Sequence, residues 1–242
     1  MMDTVQVMAG VTLSRAARRV STYTMLGLSL LPAVLCGALG YADLGGIAVA
    51  GPLALRVLGP LLVAALVAGP VGEALEHRTV VYPFTRPVSR AAVVLGEFLG
   101  MAVVAGLMLG IAGGFLAIAN ALVANGDLGS LWRIPLALGL EGVVLAGFST
   151  GVALLFPRHP LVATVGLLTL TEGALSVAPG ALQHASLTTH IGHLARVASE
   201  AQDAGGGGAA PTSAAVTALV LAAYGLGPLA VGARVVQDRD LT

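Results

Sequence analysis

Lysine is absent from this chain of 242 residues; all 12 basic residues are arginine. A phosphate-binding P-loop needs a lysine on the phosphates, and Schiff-base catalysis needs a lysine amine. The chain therefore carries no Walker-type ATPase site of its own. Charge is also scarce: Asp, Glu, Lys and Arg make up 10% of residues, against about 25% in soluble domains. A soluble fold of this size would lack the polar surface to cover itself. Net charge is zero and aromatics are 4%, so neither a basic face nor base-stacking platforms point to nucleic acid. The one cysteine, Cys36, follows Leu35 inside an apolar run. No intrachain disulfide can form, and the small residue that a lipoprotein signal wants before its cysteine is missing.

What is there is apolar: 57% of residues are hydrophobic and the mean hydropathy is +0.92. A spanning helix needs about 20 apolar residues to cross about 30 Å of hydrocarbon. Six segments meet that need, near residues 23–42, 53–72, 91–119, 134–156, 161–179 and 214–233. The expected fold is an all-α integral membrane protein of six transmembrane helices in one domain, residues 1–242. The first apolar stretch begins near Tyr23 and is long enough to span, so a cleaved signal peptide is not expected. Arg15, Arg18, Arg19, Arg78, Arg86, Arg90, Arg158, Arg234 and Arg239 fall on one face, and only Arg56, Arg133 and Arg196 on the other. The excess places both termini in the cytoplasm.

Outside the spans, two stretches have helical character. In residues 1–20, Val5, Met8, Ala9, Thr12, Leu13, Ala16 and Val20 share one face, opposite Gln6, Gly10, Ser14 and Arg18. This is the pattern of an interfacial helix on the cytoplasmic leaflet. In the outer loop, residues 180–212, Leu187, Ile191, Leu194 and Ala198 share a face and predict a short helix resting on the outer membrane surface. Gly205 to Gly208 then make a flexible linker. No internal repeat supports an inverted-repeat transporter.

The most charged stretch is residues 73–90, Gly72-Glu73-Ala74-Leu75-Glu76-His77-Arg78-Thr79-Val80-Val81-Tyr82-Pro83-Phe84-Thr85-Arg86-Pro87-Val88-Ser89-Arg90 with its leading glycine. It joins the second and third spans on the cytoplasmic side, and Pro83 and Pro87 keep any helix in it short. A rigid charged element there suits docking of a soluble partner.

Glu76, Arg78, Thr79, Val80, Val81, Tyr82 and the closing Arg86-Pro87-Val88-Ser89-Arg90 resemble the coupling segment of the six-span permease subunits of type-2 ABC transporters. His77 stands where that family often has Gly, and Pro83 where it usually has Leu. The likeness extends along the chain. The amphipathic start looks like the family's elbow helix, Gln183 to His190 like its outer segment before the last span, and Val235 to Leu241, with Arg239-Asp240, like its C-terminal tail. The resemblance implies an ABC exporter permease in a bacterial-type inner (plasma) membrane, paired with a second permease subunit, identical or paralogous. Its ATPase subunits would be separate chains that hold ATP and Mg, so this chain would bind no cofactor itself. Glu76, Arg78, Thr79, Arg86 and Arg90 would contact the ATPase or brace the segment, and Tyr82 and Phe84 would insert into its surface.

Inside the spans, Glu141 and Glu172 stand each seven residues from the outer end of their helices. They are thus level, roughly 10 Å deep. Acids at such depth avoid lipid, which makes them candidates for a translocation pathway or a shared-proton pair; the structural alternative is pairing with a nearby Thr or Ser. Glu97 is expected to pair with Arg90 or Arg158. Gly106, Gly110 and Gly114 recur every fourth residue and predict close helix packing within the subunit. Gly147-Phe148-Ser149-Thr150-Gly151 matches the serine-hydrolase pattern, but that motif needs a strand-to-helix elbow and here lies in an apolar helix, so a small-residue packing face is expected. His184, His190 and His193 cluster on the outer loop without a third ligand at consistent spacing, and solvated histidines are expected rather than a metal site. The rival reading to a permease is an ion-coupled secondary transporter or channel that uses the two glutamates.

Overall fold

The computed structural model describes residues 2–42, 44–76, 90–124, 130–177, 185–195 and 213–238. These residues form α1 (Met2–Arg18), α2 (Val20–Ser29), α3 (Leu31–Tyr41), α4 (Gly46–Leu53), a π-helical turn (Ala54–Leu58), α5 (Gly59–Glu76), α6 (Arg90–Ala124), α7 (Ser130–Leu155), α8 (Pro160–Val177), α9 (Leu187–Ala195) and α10 (Ala214–Asp238), with no strand among them. Five stretches are long and apolar enough to cross a membrane: Val20–Tyr41, Gly46–Ala68, Ala91–Val123, Leu131–Leu155 and Ala214–Val236. Where the remaining span is expected, at residues 161–179, the described residues hold a shorter apolar helix, Pro160–Leu175. As described, α8 has 18 residues and a length of about 27 Å, a little less than the hydrocarbon thickness.

Proline and glycine shape the first two spans. Pro32 has no N–H to give, so the helix breaks at Leu30, whose own N–H turns back to the Gly27 carbonyl at 3.2 Å. The following turn relies on Gly45, which holds φ at +68°, a conformation that costs other residues but not glycine. The second span starts at Gly46, earlier than the expected Leu53. Pro52 does not end that helix; the chain continues through the π turn into α5. Neighbouring helices in a membrane bundle make such an interior proline tolerable.

α7 is the hub. Of its most apolar stretch 78% is buried, against 17% for Val20–Tyr41 and 11% for Ala214–Val236. It touches α5, α6, α8, α9 and α10. The reason lies in its small residues. A Cβ on Gly139 would come 3.3 Å from the Gly106 carbonyl of α6, and Gly142 sits against Ala105. On another side Gly147 and Gly151 lie against Gly225 and Pro228 of α10. The G-x-S-x-G pattern is therefore a helix contact, and the Ser149 hydroxyl is buried without a partner among the described residues. Facing outward are large apolar side chains such as Leu107, Phe115, Leu136, Leu170 and Leu219. A surface of that kind needs lipid or another apolar chain to cover it. At the start of α7, the Arg133 guanidinium lies 5.2 Å over the exposed Trp132 ring, a pairing suited to the membrane–water boundary.

The glycine stripe of α6 is partly as expected. Gly106 and Gly110 face Gly139 on α7, but a Cβ on Gly114 would meet nothing within 4 Å. The close approach is made by Gly113, where a Cβ would fall 2.8 Å from the Pro135 Cα. The stripe turns with the helix, because 3.6 residues per turn makes a strict four-residue repeat drift off one face.

α1 shows the expected two faces in part: Leu13 and Val20, expected on the apolar face, are 41% and 77% exposed, and Val20 begins α2. Thr12 and Ala16 are buried and Gln6, Gly10, Ser14 and Arg18 exposed. The inward face rests on the first turns of α6: a Cβ on Gly100 would lie 2.7 Å from the Thr12 Cβ, and one on Gly96 would lie 2.9 Å from the Val5 carbonyl. Among the described side chains the cation acting on Glu97 of α6 is Arg15 of α1, not Arg158; the Arg90 side chain lies outside the described residues.

Candidate intramembrane site

α9 carries the largest departure from the sequence reading. It does not rest on a surface. Leu187, Thr188, Thr189, His190, Ile191, Gly192 and Ala195 are all buried, and the helix contacts α7, α8, α10 and the π turn. A buried helix start exposes unpaired N–H groups to an apolar interior, where each needs an acceptor. Glu172 of α8 supplies one. Its Oε1 accepts the Leu187 N–H at 2.9 Å, and its Oε2 accepts the Thr188 N–H at 3.0 Å. Two hydroxyls donate to the same oxygen, Ser186 at 2.7 Å and Thr188 at 3.0 Å. Negative charge at a helix N-terminus also opposes the helix dipole favourably. Further along α9, His190 is fully buried and its Nδ1 lies 3.0 Å from the Thr217 hydroxyl of α10. The phenol of Tyr224, also on α10, reaches Glu172 and Thr171 and stacks on Phe148 of α7 at 6.2 Å. One carboxylate thus ties α8, α9 and α10 together.

Glu141 is placed quite differently. It is 1% exposed, and neither carboxyl oxygen has a hydrogen-bond partner among the described residues. Its Oε1 lies against the second span where the helix widens: a Cβ on Gly59 would be 3.2 Å from that oxygen and 2.8 Å from the Ala54 carbonyl. Glycine is therefore the residue that fits between the π turn and Glu141. π turns in otherwise α-helical segments often mark functional positions. The two glutamates are near enough to act on each other electrostatically, as their equal depth implied, but they do not share a hydrogen bond in this structure.

Of the coupling-segment residues, Arg78, Thr79, Tyr82, Phe84 and Arg86 lie outside the described residues. Glu76 ends α5 and Arg90 begins α6, and their side chains are likewise outside. His184 is also outside, and His190 and His193 are not solvated as expected: the first is buried, and the second has an Nε2 that is buried without a partner. No group of three His, Cys, Asp or Glu suited to a metal occurs among the described residues. The parts that sequence reasoning missed are the π turn, Gly59, Ser186 and Tyr224. The spacing Gly51-Pro52 and Gly59-Pro60 within one span was the available signal, since it marks a helix under irregular demands. No protein-family model matches the chain, and no curated protein matches it.

Proposed function

We propose that the chain is the transmembrane subunit of an ATP-driven transporter of the ABC exporter type, working as a pair of permease subunits with a separate ATPase. The observation that carries this reading is an assembly at one end of the bundle. α5 ends at Glu76, α6 begins at Arg90, and α1 lies across the first turns of α6 at Gly96 and Gly100. The charged, proline-bracketed segment of residues 77–89 joins these helices in sequence. A push on that segment by a docked protein would move α5, α6 and α1 together. α6 in turn packs along α7, the hub, so the displacement would reach the rest of the bundle.

In this reading α8 is the sixth crossing. Its shortfall of about 3 Å is met by local bilayer thinning and by the protein around it, at modest cost. Both termini then lie in the cytoplasm of a bacterial-type inner membrane. ATP and Mg belong to the partner ATPase; Glu76, Arg78, Thr79, Tyr82, Phe84, Arg86 and Arg90 form the docking segment, and Glu141 and Glu172 line the helices that part. The ion-coupled alternative keeps Glu141 as its support, since Glu172 is engaged in holding α9.

The test is purification of the tagged chain from its native membrane in mild detergent, with mass spectrometry of what accompanies it. A soluble protein with a Walker motif should co-purify, and Glu76→Ala together with Arg86→Ala should weaken that association several-fold. Recovery of a folded chain with no ATPase in repeated preparations would reject the reading.

A further inference from the structure

Glu141 poses a physical problem that the rest of the bundle does not solve. An isolated carboxylate in an apolar interior is prohibitive without a compensating positive charge. Among the described residues, the charged and titratable groups around it do not provide one. On α8 there is Glu172, a like charge; on α9, His190, already bonded to Thr217; on α10, Tyr224, already at Glu172. On the π turn Arg56 is exposed and directed out of the bundle. On α6 the nearest such group is Glu97, beside Arg15 and about two turns from Ala105, which packs on Gly142.

A second observation stands opposite. The Gly59 N–H donates to the Ala54 carbonyl, five residues back. The next residue is Pro60, which has no N–H, so a carbonyl one turn behind it loses its helical donor. At its Gly59 end the widened turn lies directly against the unpartnered carboxyl. Beside it lies a cavity of about 10 Å³, lined by Ser29, Ala54, Leu58, Gly59, Leu109 and Leu138 among others. That space is about enough for one water molecule. Hard metal ions take about six or more oxygen ligands, and this lining is chiefly hydrocarbon.

We propose that Glu141 and the π turn Ala54–Leu58 form a buried proton-binding site, in which Glu141 carries one proton while the helices are packed and releases it to water when they separate. The balance is simple: the carboxylic acid gives its proton to a water molecule that has entered, leaving a carboxylate and a hydronium ion. The π turn, through Gly59, keeps the space beside the carboxyl free of any side chain. The site makes the packed and parted states of α5 and α7 differ by one proton, whichever energy source drives the chain.

Infrared spectroscopy on the full chain, reconstituted in a supported lipid film under flowing buffer, tests this directly. At neutral pH the wild type should show the C=O stretch of a protonated carboxylic acid, with a shift to lower frequency on exchange into heavy water. The band should be lost in Glu141→Gln and retained in Glu172→Gln. It should not change when sodium is replaced by choline. Should Glu141→Gln fail to fold, Gly59→Ala decides, because its methyl group presses on the Glu141 carboxyl and must displace the band. Absence of the band in the wild type, its survival in Glu141→Gln, its indifference to Gly59→Ala or its dependence on sodium would each overturn the proposal.

Discussion

Two glutamates at equal depth have opposite circumstances, and substitution should separate them. Glu172 accepts hydrogen bonds from two backbone amides and two hydroxyls. Removing it leaves those donors in an apolar setting. Bonds to a charged group contribute about 1.5–3 kcal/mol each, and an orphaned buried donor costs about 1–3 kcal/mol. Glu172→Ala should therefore destabilise the folded chain by about 3 kcal/mol, seen as a clear fall in Tm in detergent. Glu141 holds no such bonds. Glu141→Leu replaces an unsatisfied polar group by an apolar one of similar size, and such a change is neutral or stabilising. Its stability should be unchanged or higher, by up to about 1 kcal/mol, read as an equal or higher Tm, while transport in the proposed reading is impaired. A residue whose loss improves stability but harms activity is one retained for function. The sequence placed both acids inside spans, where each needs a reason. It did not say which one was satisfied, because the donors to Glu172 come from a helix start 14 to 16 residues away.

At the scale of elements, small residues decide which helix faces meet. Gly113→Ala forces a methyl group against the Pro135 Cα, whereas Gly114→Ala enters open space. Backbone cannot yield as a side-chain tip does, and overpacking costs about 1–3 kcal/mol. Gly113→Ala should lower Tm and broaden the elution peak in size-exclusion chromatography; Gly114→Ala should do neither. The four-residue period was visible in the sequence, but the contact line was not, since it depends on the crossing of α6 with α7. α9 offers a second case. Its apolar positions Leu187, Ile191 and Leu194 read as one face of a surface helix. In the bundle Leu187 and Ile191 are buried and so are Thr188, Thr189 and His190, while Leu194 is 42% exposed. A cysteine introduced at Leu194 should react with a membrane-impermeant maleimide, and one at Ile191 should be protected until the protein is denatured. Equal labelling of both would return α9 to the surface. Hydroxyls and histidine look like surface residues to any composition rule. They are buried here because Glu172, Thr217 and each other satisfy their polar atoms.

For the molecule as a whole, the open quantity is the number of crossings. Five apolar stretches meet the length needed for a membrane and Pro160–Leu175 falls short. Five crossings would put the termini on opposite sides, six on the same side. With α8 as a crossing, tags at both ends should report the cytoplasmic side in intact cells. A C-terminal tag found outside would make α8 a helix that enters and returns. The arginine distribution favours the first outcome: Arg234 and Arg239 follow the last span as Arg15, Arg18 and Arg19 precede the first.

Composition alone determined the solvent of this protein. With 10% charged and 57% hydrophobic residues, the chain has more apolar surface than a soluble fold can hide, and run length then sets where its helices lie. Local periodicity also gave much of the inward face of α1, though not the exposure of Leu13 and Val20. The choice of partners belonged to the tertiary structure: α1 against α6, α9 within the bundle, Glu172 as its cap, and Glu141 alone beside a π turn. Helix formation is governed by bonds between residues four or five apart and can be read along the chain. The pairing of faces depends on how whole helices cross, and a polar group is satisfied or stranded only once those crossings exist.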